Sequence, residues 1–572
     1  MKYLGNKTDF TEPGRNQVGS GKHPISASRL IRSMLQGEGK EISVVLIYGL
    51  GVGILSLAIP VGIQTLVSTV NFGAFSQPVL FLILAVFIGL TSAAVLRGIQ
   101  VFIVEQLQKR LFSEIALELA YRIPRLVLDG KSTSRFPDLV NRFFDVLTVQ
   151  KSSAMLLLEG FALALQVVLG LVLLGFYHWF LLAFAIVMIA SIGVILFLLG
   201  RGAIVSSVEE SAQKYRVAAW LEDLAARPLL FRSSTARTLA LRKADEVVTG
   251  FLEARSAHFK ILMRQVLGSL ALQAIASSAL LGIGAYLVSK NQLTVGQLVA
   301  AEIVVTTALA SLAKFQKHLE AFYDLVAALD KLEYLFTLPM EQAQGAPLKA
   351  ISVPAEVEIK GLSYSYDSGE PLFHELNFKI SSGSKVALLG ANSSGKTTLV
   401  DLLYGIRKAT NGALLIDGYD FRDLSIESVR DQVALVRGLE ILPDSIFENV
   451  RAGRESVGLD EVRQVLSDLG LLQEIESLPE GLQTQLTGDG RPLSIAQAHR
   501  LGLARAIVAR PRLLLVDETL DDLDEKTRER ALSVILQKSS PWTLLITTHD
   551  TDLATKCDAV IALDSLKERR SA

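Results

Sequence analysis

Residues 390–397 have the sequence Gly390-Ala391-Asn392-Ser393-Ser394-Gly395-Lys396-Thr397, which fits the pattern G-x-x-x-x-G-K-[ST]. An apolar run, Val386–Leu389, precedes this stretch, and a helix-like run, Thr397–Leu403, follows it. A strand, a glycine-rich loop and a helix in this order are typical of a phosphate-binding loop, whose backbone N–H groups surround the phosphates. Lys396 would then reach the terminal phosphates, and the Thr397 hydroxyl could bind Mg²⁺. The stretch predicts a site for ATP or GTP.

The composition indicates a membrane protein in its first half. Half of the 572 residues are hydrophobic, and the long apolar blocks lie between Ile42 and Leu312. A net charge of −1 gives no reason to expect nucleic acid as a partner. The single cysteine, Cys557, excludes an intramolecular disulfide framework and a cysteine-based metal cluster.

Six apolar blocks have about the length, roughly 20 residues, that a helix needs to cross a bilayer. The predicted spans are Ser43–Val70, Pro78–Val104, Ala154–Phe176, Trp179–Leu199, Val266–Val288 and Gly296–Leu312. The short intervals between spans carry only Lys290 as a full charge, whereas the long intervals are rich in Lys and Arg. By the positive-inside rule, the long intervals and both termini are cytoplasmic. We expect a multi-pass protein of the inner (plasma) membrane, with the lipid bilayer as a partner.

The polar segments outside the spans also carry predictions. The tail 1–41 has no apolar core of a signal peptide, and its residues Ile25–Leu35 fit either a short amphipathic helix on the membrane surface or a loose tail. The long intervals continue helix-like patterns and break at Asp129–Ser132 and near Ala225–Pro228. Helices are therefore predicted to project well beyond the bilayer.

Three charged residues lie inside the predicted spans, where ionisable side chains usually mark functional sites. Arg97 and Glu159 have similar predicted depths on consecutive antiparallel spans, so we expect a structural ion pair more than a substrate contact. Glu302 lies early in the last span, where it would contact a substrate or reach water.

Two further strands in the second half end in residues suited to phosphate chemistry. Leu513–Glu518 is a buried-strand pattern that ends in Asp517, placed to bind Mg²⁺, and Glu518, placed to polarise the attacking water as general base. The run Thr543–Thr548 ends at His549, which suggests a γ-phosphate sensor or a partner for Glu518. Tyr366, ahead of the loop, could stack on a purine.

Together these residues resemble the ATP-binding cassette (ABC) transporter superfamily, and specifically an exporter-type half-transporter. Tyr366 matches the aromatic A-loop position, Gly390–Thr397 the Walker A loop, Asp517 and Glu518 Walker B, and His549 the switch histidine. The resemblance implies that these residues and Thr398 hold ATP and Mg²⁺. It also implies head-to-tail dimerisation around ATP, with coupling helices near Asp129–Ser134 and Arg227–Ser234.

The fold class that follows is a membrane α-helical domain of six transmembrane helices with long cytoplasmic extensions, followed by an α/β P-loop NTPase cassette. We assign the tail to residues 1–41, the membrane domain to 42–335 and the cytoplasmic cassette to 354–572.

Two positions depart from the family pattern. The signature Leu-Ser-Gly-Gly-Gln, which approaches the ATP of the opposite cassette in this family, aligns with Leu493-Ser494-Ile495-Ala496-Gln497. A β-branched Ile495 can obstruct the close backbone approach that a glycine permits. The Q-loop glutamine falls at Arg437 or Gly438, and the D-loop is Asp521-Asp522-Leu523-Asp524.

These features favour ATP-driven export of a substrate by a dimer of half-transporters. The second half is either a different chain, which would supply an intact signature, or a second copy, and both alternatives stay open. Exporters without an appended peptidase domain move lipids, drugs, peptides or secreted proteins, and a periplasmic adaptor as a further partner would favour protein secretion. The alternative is a nucleotide-gated membrane regulator with little hydrolysis of its own, although Glu518 and His549 argue against it. A soluble ATPase or nucleic-acid motor contradicts the spans.

Overall fold

A computed structural model describes residues 27–71, 77–127, 141–341, 345–349, 351–366, 369–521 and 523–564. The chain divides into two compact units, one formed by Met1–Pro124 with Arg135–Leu338 and one by Arg125–Ser134 with Pro339–Ala572. The predicted coupling segment at Asp129–Ser134 lies outside the described residues, as do Met1–Ser26 of the predicted tail.

Long helices make up the described part of the first unit. Its α-helices are Ala27–Ser56, Ala58–Asn71, Gln77–Arg122, Asp145–Met155, Phe161–Tyr177, Trp179–Gly193, Ala203–Ala226, Ser234–Ser289 and Val295–Thr337. The segments Leu156–Gly160 and Val194–Leu199 are π-helical. Tightly packed apolar side chains, such as Leu174, Leu181 and Leu280, form its core.

Among the described residues, five helical stretches are long and apolar enough to cross a membrane. They are Gly39–Val67, Val79–Arg125, Arg142–Tyr177, Trp179–Leu199 and Ser234–Ser289. The sixth predicted span, Gly296–Leu312, lies within the helix Val295–Thr337, whose described apolar part, Val295–Thr307, is shorter. The helices Gln77–Arg122 and Ser234–Ser289 have 46 and 56 residues. At about 1.5 Å per residue, each is more than twice as long as the roughly 30 Å hydrocarbon core.

The polar segments of this unit partly follow the sequence predictions. The predicted break near Ala225–Pro228 is confirmed, because one helix ends at Ala226 and a single 3₁₀ turn, Leu230–Arg232, separates it from the next. The described part of the predicted surface helix begins at Ala27 and continues without interruption into the first span.

The predicted ion pair between Arg97 and Glu159 is wrong. Arg97 donates a hydrogen bond to the backbone oxygen of Leu158, and among the described residues Glu159 instead faces the imidazole of His318 at 3.9 Å. Leu158 lies in the π-helical turn, whose wider winding disturbs the regular bonding of backbone carbonyls and leaves this one accessible to the guanidinium. On the last span, Glu302 accepts a hydrogen bond from Thr306 at 3.4 Å, while its Oε2 is buried without a hydrogen-bond partner among the described residues.

The second unit is an α/β domain built on two sheets. The antiparallel sheet has the order β2-β1-β4-β5, and the parallel sheet has the order β6-β7-β8-β3-β9. The strands are β1 Val357–Ser365, β2 Pro371–Ile380, β3 Lys385–Leu389, β4 Asn411–Ile416, β5 Tyr419–Asp420, β6 Val433–Arg437, β7 Leu513–Asp517, β8 Thr543–Thr548 and β9 Ala559–Ala562. The α-helices are Lys396–Leu403, Ile426–Arg430, Ile446–Arg451, Leu459–Asp468, Leu472–Glu476, Ile495–Val508, Glu525–Ile535 and Thr551–Thr555.

The interior strand β7 is buried along its whole length because both faces of the parallel sheet are covered. Leu513 and Leu515 pack in one apolar cluster, and Leu514 and Val516 pack in the other. The strand therefore ends at Asp517 in a rigid setting, between the ends of β6 and β8.

Leu514→Ala is expected to destabilise the cassette by about 2–5 kcal/mol, because it leaves a cavity at a fully buried site. Calorimetry of the purified full chain should show the cassette transition lowered by several degrees. Leu459→Ala is the matched control, since Leu459 is 48% exposed, and it should shift the transition little. Equal shifts for the two variants would contradict the assignment of β7 as a core strand.

Candidate nucleotide-binding site

The stretch Gly390–Thr397, called the phosphate loop below, connects β3 to the helix Lys396–Leu403. Gly395 has φ +100°, and a Cβ there would lie 2.7 Å from the ring of Phe373, so only glycine fits. Ser393 also has a positive φ of 66°. The loop thus turns sharply into a helix N-terminus, the geometry expected for a phosphate site.

Lys396 is buried at the centre of the loop. Its ammonium group donates to the backbone oxygens of Gly390 at 3.0 Å and Ala391 at 3.1 Å. It also forms an ion pair with Glu518 Oε1 at 3.1 Å. The structure therefore brings together the predicted phosphate-binding lysine and the predicted general base.

Asp517 and Glu518 differ strongly in their surroundings. The Asp517 side chain is 3% exposed, and its Oδ1 accepts a hydrogen bond from the Thr547 hydroxyl at 2.6 Å. Glu518 has a left-handed backbone, φ +53°, which is held by hydrogen bonds from its N–H to Thr547. Its side chain is 45% exposed, so the carboxylate can reach both Lys396 and a water molecule.

His549 does not pair with Glu518, contrary to one of the two predicted roles. Its Nδ1 lies 2.9 Å from Asp521 Oδ2, and the side chain is 62% exposed. Asp521 is fixed in turn by the Thr548 hydroxyl at 2.7 Å. A proton on Nδ1 would bind Asp521 and leave Nε2 as the acceptor. The γ-phosphate sensor role stays a prediction.

Tyr366 lies beside the first turn of the helix that follows the loop. Its hydroxyl is 2.6 Å from Thr398 Oγ1, and the guanidinium of Arg407 lies 4.8 Å from the ring centroid. The residue is 44% exposed, so ring surface is available for a base.

The residues retained in the altered signature stabilise the start of the helix Ile495–Val508. Ser494 caps this helix and forms a capping box with Gln497. Gln497 also donates to Glu474 at 2.7 Å, and Arg500 binds the same carboxylate at 2.8 Å. The Arg500 guanidinium holds the pKa of Glu474 below its usual value. Ile495 is 64% exposed, so its side chain projects from this fixed loop into solvent.

Arg437 is a site residue whose role the sequence did not reveal. It is the last residue of β6, and Gly438 follows it with φ +53°. Its Nε lies 2.7 Å from Asp517 Oδ2, and its Nη1 lies 2.6 Å from Asp401 Oδ1. Burial opposes the charge, but the two carboxylates outweigh it and raise the pKa of Arg437. The sequence feature that could have indicated this role is a basic residue at the end of a strand next to β7.

The donor types at this site suit Mg²⁺, which prefers hard oxygen ligands. Thr397 and Asp517 would hold it, as predicted, but both oxygens of Asp517 already bind Thr547 and Arg437. In the part of the chain that the structure describes, no group of three or more His, Cys, Asp or Glu residues is arranged to hold a metal ion. A Mg²⁺ ion would therefore take its remaining ligands from phosphate and water.

Comparisons with known proteins agree with this geometry. Residues 373–521 match the family model for the ABC transporter. The heavy metal tolerance factor 1 of Caenorhabditis elegans is 32% identical over 210 residues, 36% of this chain and 26% of that protein. The ATP-dependent lipid A-core flippase of Burkholderia orbicola is 29% identical over 302 residues, 52% of this chain and 50% of that protein.

The chain thus spans between a quarter and a half of the length of these curated relatives. A solved structure of a bacterial Atm1-family ABC exporter with ATP bound has a TM-score of 0.79 and 20% identity, and the match covers 95% of this chain and 94% of that one. The predicted fold class is confirmed by the structural match, and the cassette carries the stretch that matches the ABC transporter family model.

Tyr366→Ala is expected to weaken ATP binding by about tenfold or more, because stacking on a base contributes roughly 1–3 kcal/mol. Equilibrium binding of ATP to the purified full chain measures the effect. Tyr366→Phe keeps the ring and loses only the contact with Thr398, so it should change the affinity much less. Equal losses in the two variants would contradict stacking.

Proposed function

We propose that this chain, an exporter-type ABC half-transporter by fold and cassette sequence, pairs with a second half-transporter to export a substrate from the membrane at the expense of ATP. The observation that carries the proposal is the ion pair between Lys396 and Glu518 at the phosphate loop, in a chain with helices of membrane-spanning length. We assign residues 1–41 to a cytoplasmic tail, 42–335 to the membrane domain and 354–572 to the cassette.

Each site residue has a separate role in ATP binding or hydrolysis. Lys396 and the N–H groups of the phosphate loop bind the phosphates, and Tyr366 binds the base. Glu518 accepts a proton from the water that attacks the γ-phosphorus, and its exposed position gives that water access. Asp521 orients His549 beside the γ-phosphate. Mg²⁺, held by Thr397 and Asp517, would neutralise phosphate charge when bound.

ATP drives the transport cycle because it binds the closed pair of cassettes more tightly than the open pair. Hydrolysis removes that preference and resets the dimer. We propose the turn at Arg227–Ser234 as a coupling segment, since its residues Leu229 and Leu230 have exposed apolar side chains. The second proposed coupling segment, Asp129–Ser134, lies outside the described residues.

The second half is a different chain or a second copy of this one. In a heterodimer, the Walker residues of this chain would meet an intact signature, and Ile495 would face the weaker site. The inner (plasma) membrane is the proposed location, with the cassette and both termini in the cytoplasm. The relatives are named for heavy metal tolerance and for lipid A-core, and we propose a cargo from one of four classes: lipids, drugs, peptides or proteins.

Glu518→Gln tests the proposal directly. It should lower ATP turnover by at least about 100-fold, because general-base catalysis contributes roughly 10²–10⁴-fold. ATP binding should be kept or strengthened, since Lys396 loses a competing carboxylate. Turnover is measured on the purified full chain, alone and with a partner half. Glu525→Gln, on an exposed helix start, is the control. A chain without Glu518-dependent turnover, alone or with a partner half, would contradict the transporter proposal. ATP binding with no turnover in the unaltered chain would favour a nucleotide-gated regulator.

Ile495→Gly should raise ATP turnover at the site that this signature covers by at least about threefold, since glycine permits the close approach that isoleucine obstructs. Steady-state hydrolysis by the homodimer or the heterodimer gives the readout. Leu459→Gly is the matched control, because Leu459 is also the exposed first residue of a cassette helix. An unchanged or lower rate in Ile495→Gly alone would contradict steric obstruction.

A further inference from the structure

The ends of β6 and β7 bring a guanidinium against the buried carboxylate of Asp517. Arg437 and Asp517 are paired in register as the last residues of two parallel strands. Side chains paired in this way project toward the same face of the sheet. The 2.7 Å ion pair is therefore set by the strand register and does not depend on a mobile loop.

Arg437 is also held from the side of the phosphate loop. Its Nη1 binds Asp401 at 2.6 Å, and its Nη2 donates to the backbone oxygen of Thr397 at 3.3 Å. Both partners lie on the helix that begins at Lys396. The guanidinium thus bridges β7 and the end of the phosphate loop, beside the position where the terminal phosphates would bind.

Three carboxylates lie around the end of the phosphate loop, those of Asp401, Asp517 and Glu518, and each is paired with a cationic side chain. Asp517 has Arg437, Glu518 has Lys396 at 3.1 Å, and Asp401 has both Arg437 and Arg407, the latter at 2.8 Å. Asp517 thus has its negative charge compensated before any divalent cation arrives. A Mg²⁺ ion that approached the carboxylate would be repelled by the guanidinium on the same group.

We propose that Arg437 takes over the charge-neutralising role of the divalent cation at Asp517, so that this cassette binds ATP with little dependence on Mg²⁺. The proposal rests on the proposed binding of ATP at the phosphate loop. Metal-free ATP carries two more negative charges than its Mg²⁺ complex. Because Arg437 and Lys396 already neutralise Asp517 and Glu518, metal-free ATP meets no uncompensated carboxylate from these two residues. Mg²⁺ binds Asp517 only when Arg437 leaves it.

The experiment measures equilibrium binding of ATP to the purified full chain, once with excess Mg²⁺ and once with excess EDTA. The variants are Arg437→Gln, which removes the charge, and Arg437→Lys, which keeps it. Arg422→Gln is the matched control, because Arg422 is an exposed arginine in an ion pair with Asp420 elsewhere on the cassette.

The unaltered chain, Arg437→Lys and Arg422→Gln should each change affinity by less than about threefold between the two conditions. Arg437→Gln should lose at least about tenfold in EDTA, because each lost charge contact at a buried site costs about a factor of ten or more. A second readout is the thermal midpoint without nucleotide, which also shows whether the variant is folded. Mg²⁺ alone should raise that midpoint in Arg437→Gln and leave it unchanged in the unaltered chain.

Binding by the unaltered chain that disappears in EDTA would overturn the inference and leave the proposed function intact. An ATP affinity that depends equally on Mg²⁺ in the unaltered chain and in Arg437→Gln would also overturn the inference. So would an Arg437→Lys variant that loses as much affinity in EDTA as Arg437→Gln. Failure of the unaltered chain to bind ATP under both conditions would instead overturn the proposed function.

Discussion

The parallel pairing of β6, β7, β8 and β3 is the constraint on which the nucleotide site depends. In this register Arg437 lies beside Asp517, and Asp517 lies beside Thr547. The hydrogen bonds among the side chains of Arg437, Asp517 and Thr547 follow from this strand pairing, because the three residues lie next to one another near the ends of adjacent strands. Because both faces of the sheet are covered, these ends cannot shift without breaking the core.

Charge balance explains the arrangement of the side chains around the phosphate loop. Lys396, Arg437 and Arg407 are each held by a carboxylate, and the first two lie where phosphates would add further negative charge. Binding of a nucleotide must therefore replace protein–protein ion pairs with protein–phosphate ones. A site built in this way can hold its shape without ligand, because the buried charges remain paired.

The intact and the altered motifs belong to two functionally separate surfaces of one cassette. The phosphate loop and the ends of β7 and β8 form the surface that binds ATP. The signature loop is a different surface, fixed by Ser494, Gln497 and Glu474, and it presents an exposed Ile495. The Walker-type residues and the altered signature can therefore be tested separately by substitution.

The sequence by itself determined the order of the fold and the main site residues. The length of the apolar runs predicted the membrane helices, because a bilayer of fixed thickness needs runs of about that length. The phosphate-loop motif predicted the strand before it and the helix after it, because this glycine pattern is typical of a turn between a strand and a helix. Side-chain partners could not be predicted in the same way. Arg97 bonds to a carbonyl instead of Glu159, and His549 pairs with Asp521 instead of Glu518.

The role of Arg437 was decided only by the tertiary structure. Asp517 is 80 residues away in sequence, and nothing in a local pattern specifies which strands are neighbours. Strand order and register are set by the packing of the whole sheet, and a shift of a single residue would move Arg437 to the other face. Local motifs therefore predicted which chemical groups the site contains, while the strand order and register determine which charged side chains lie next to them.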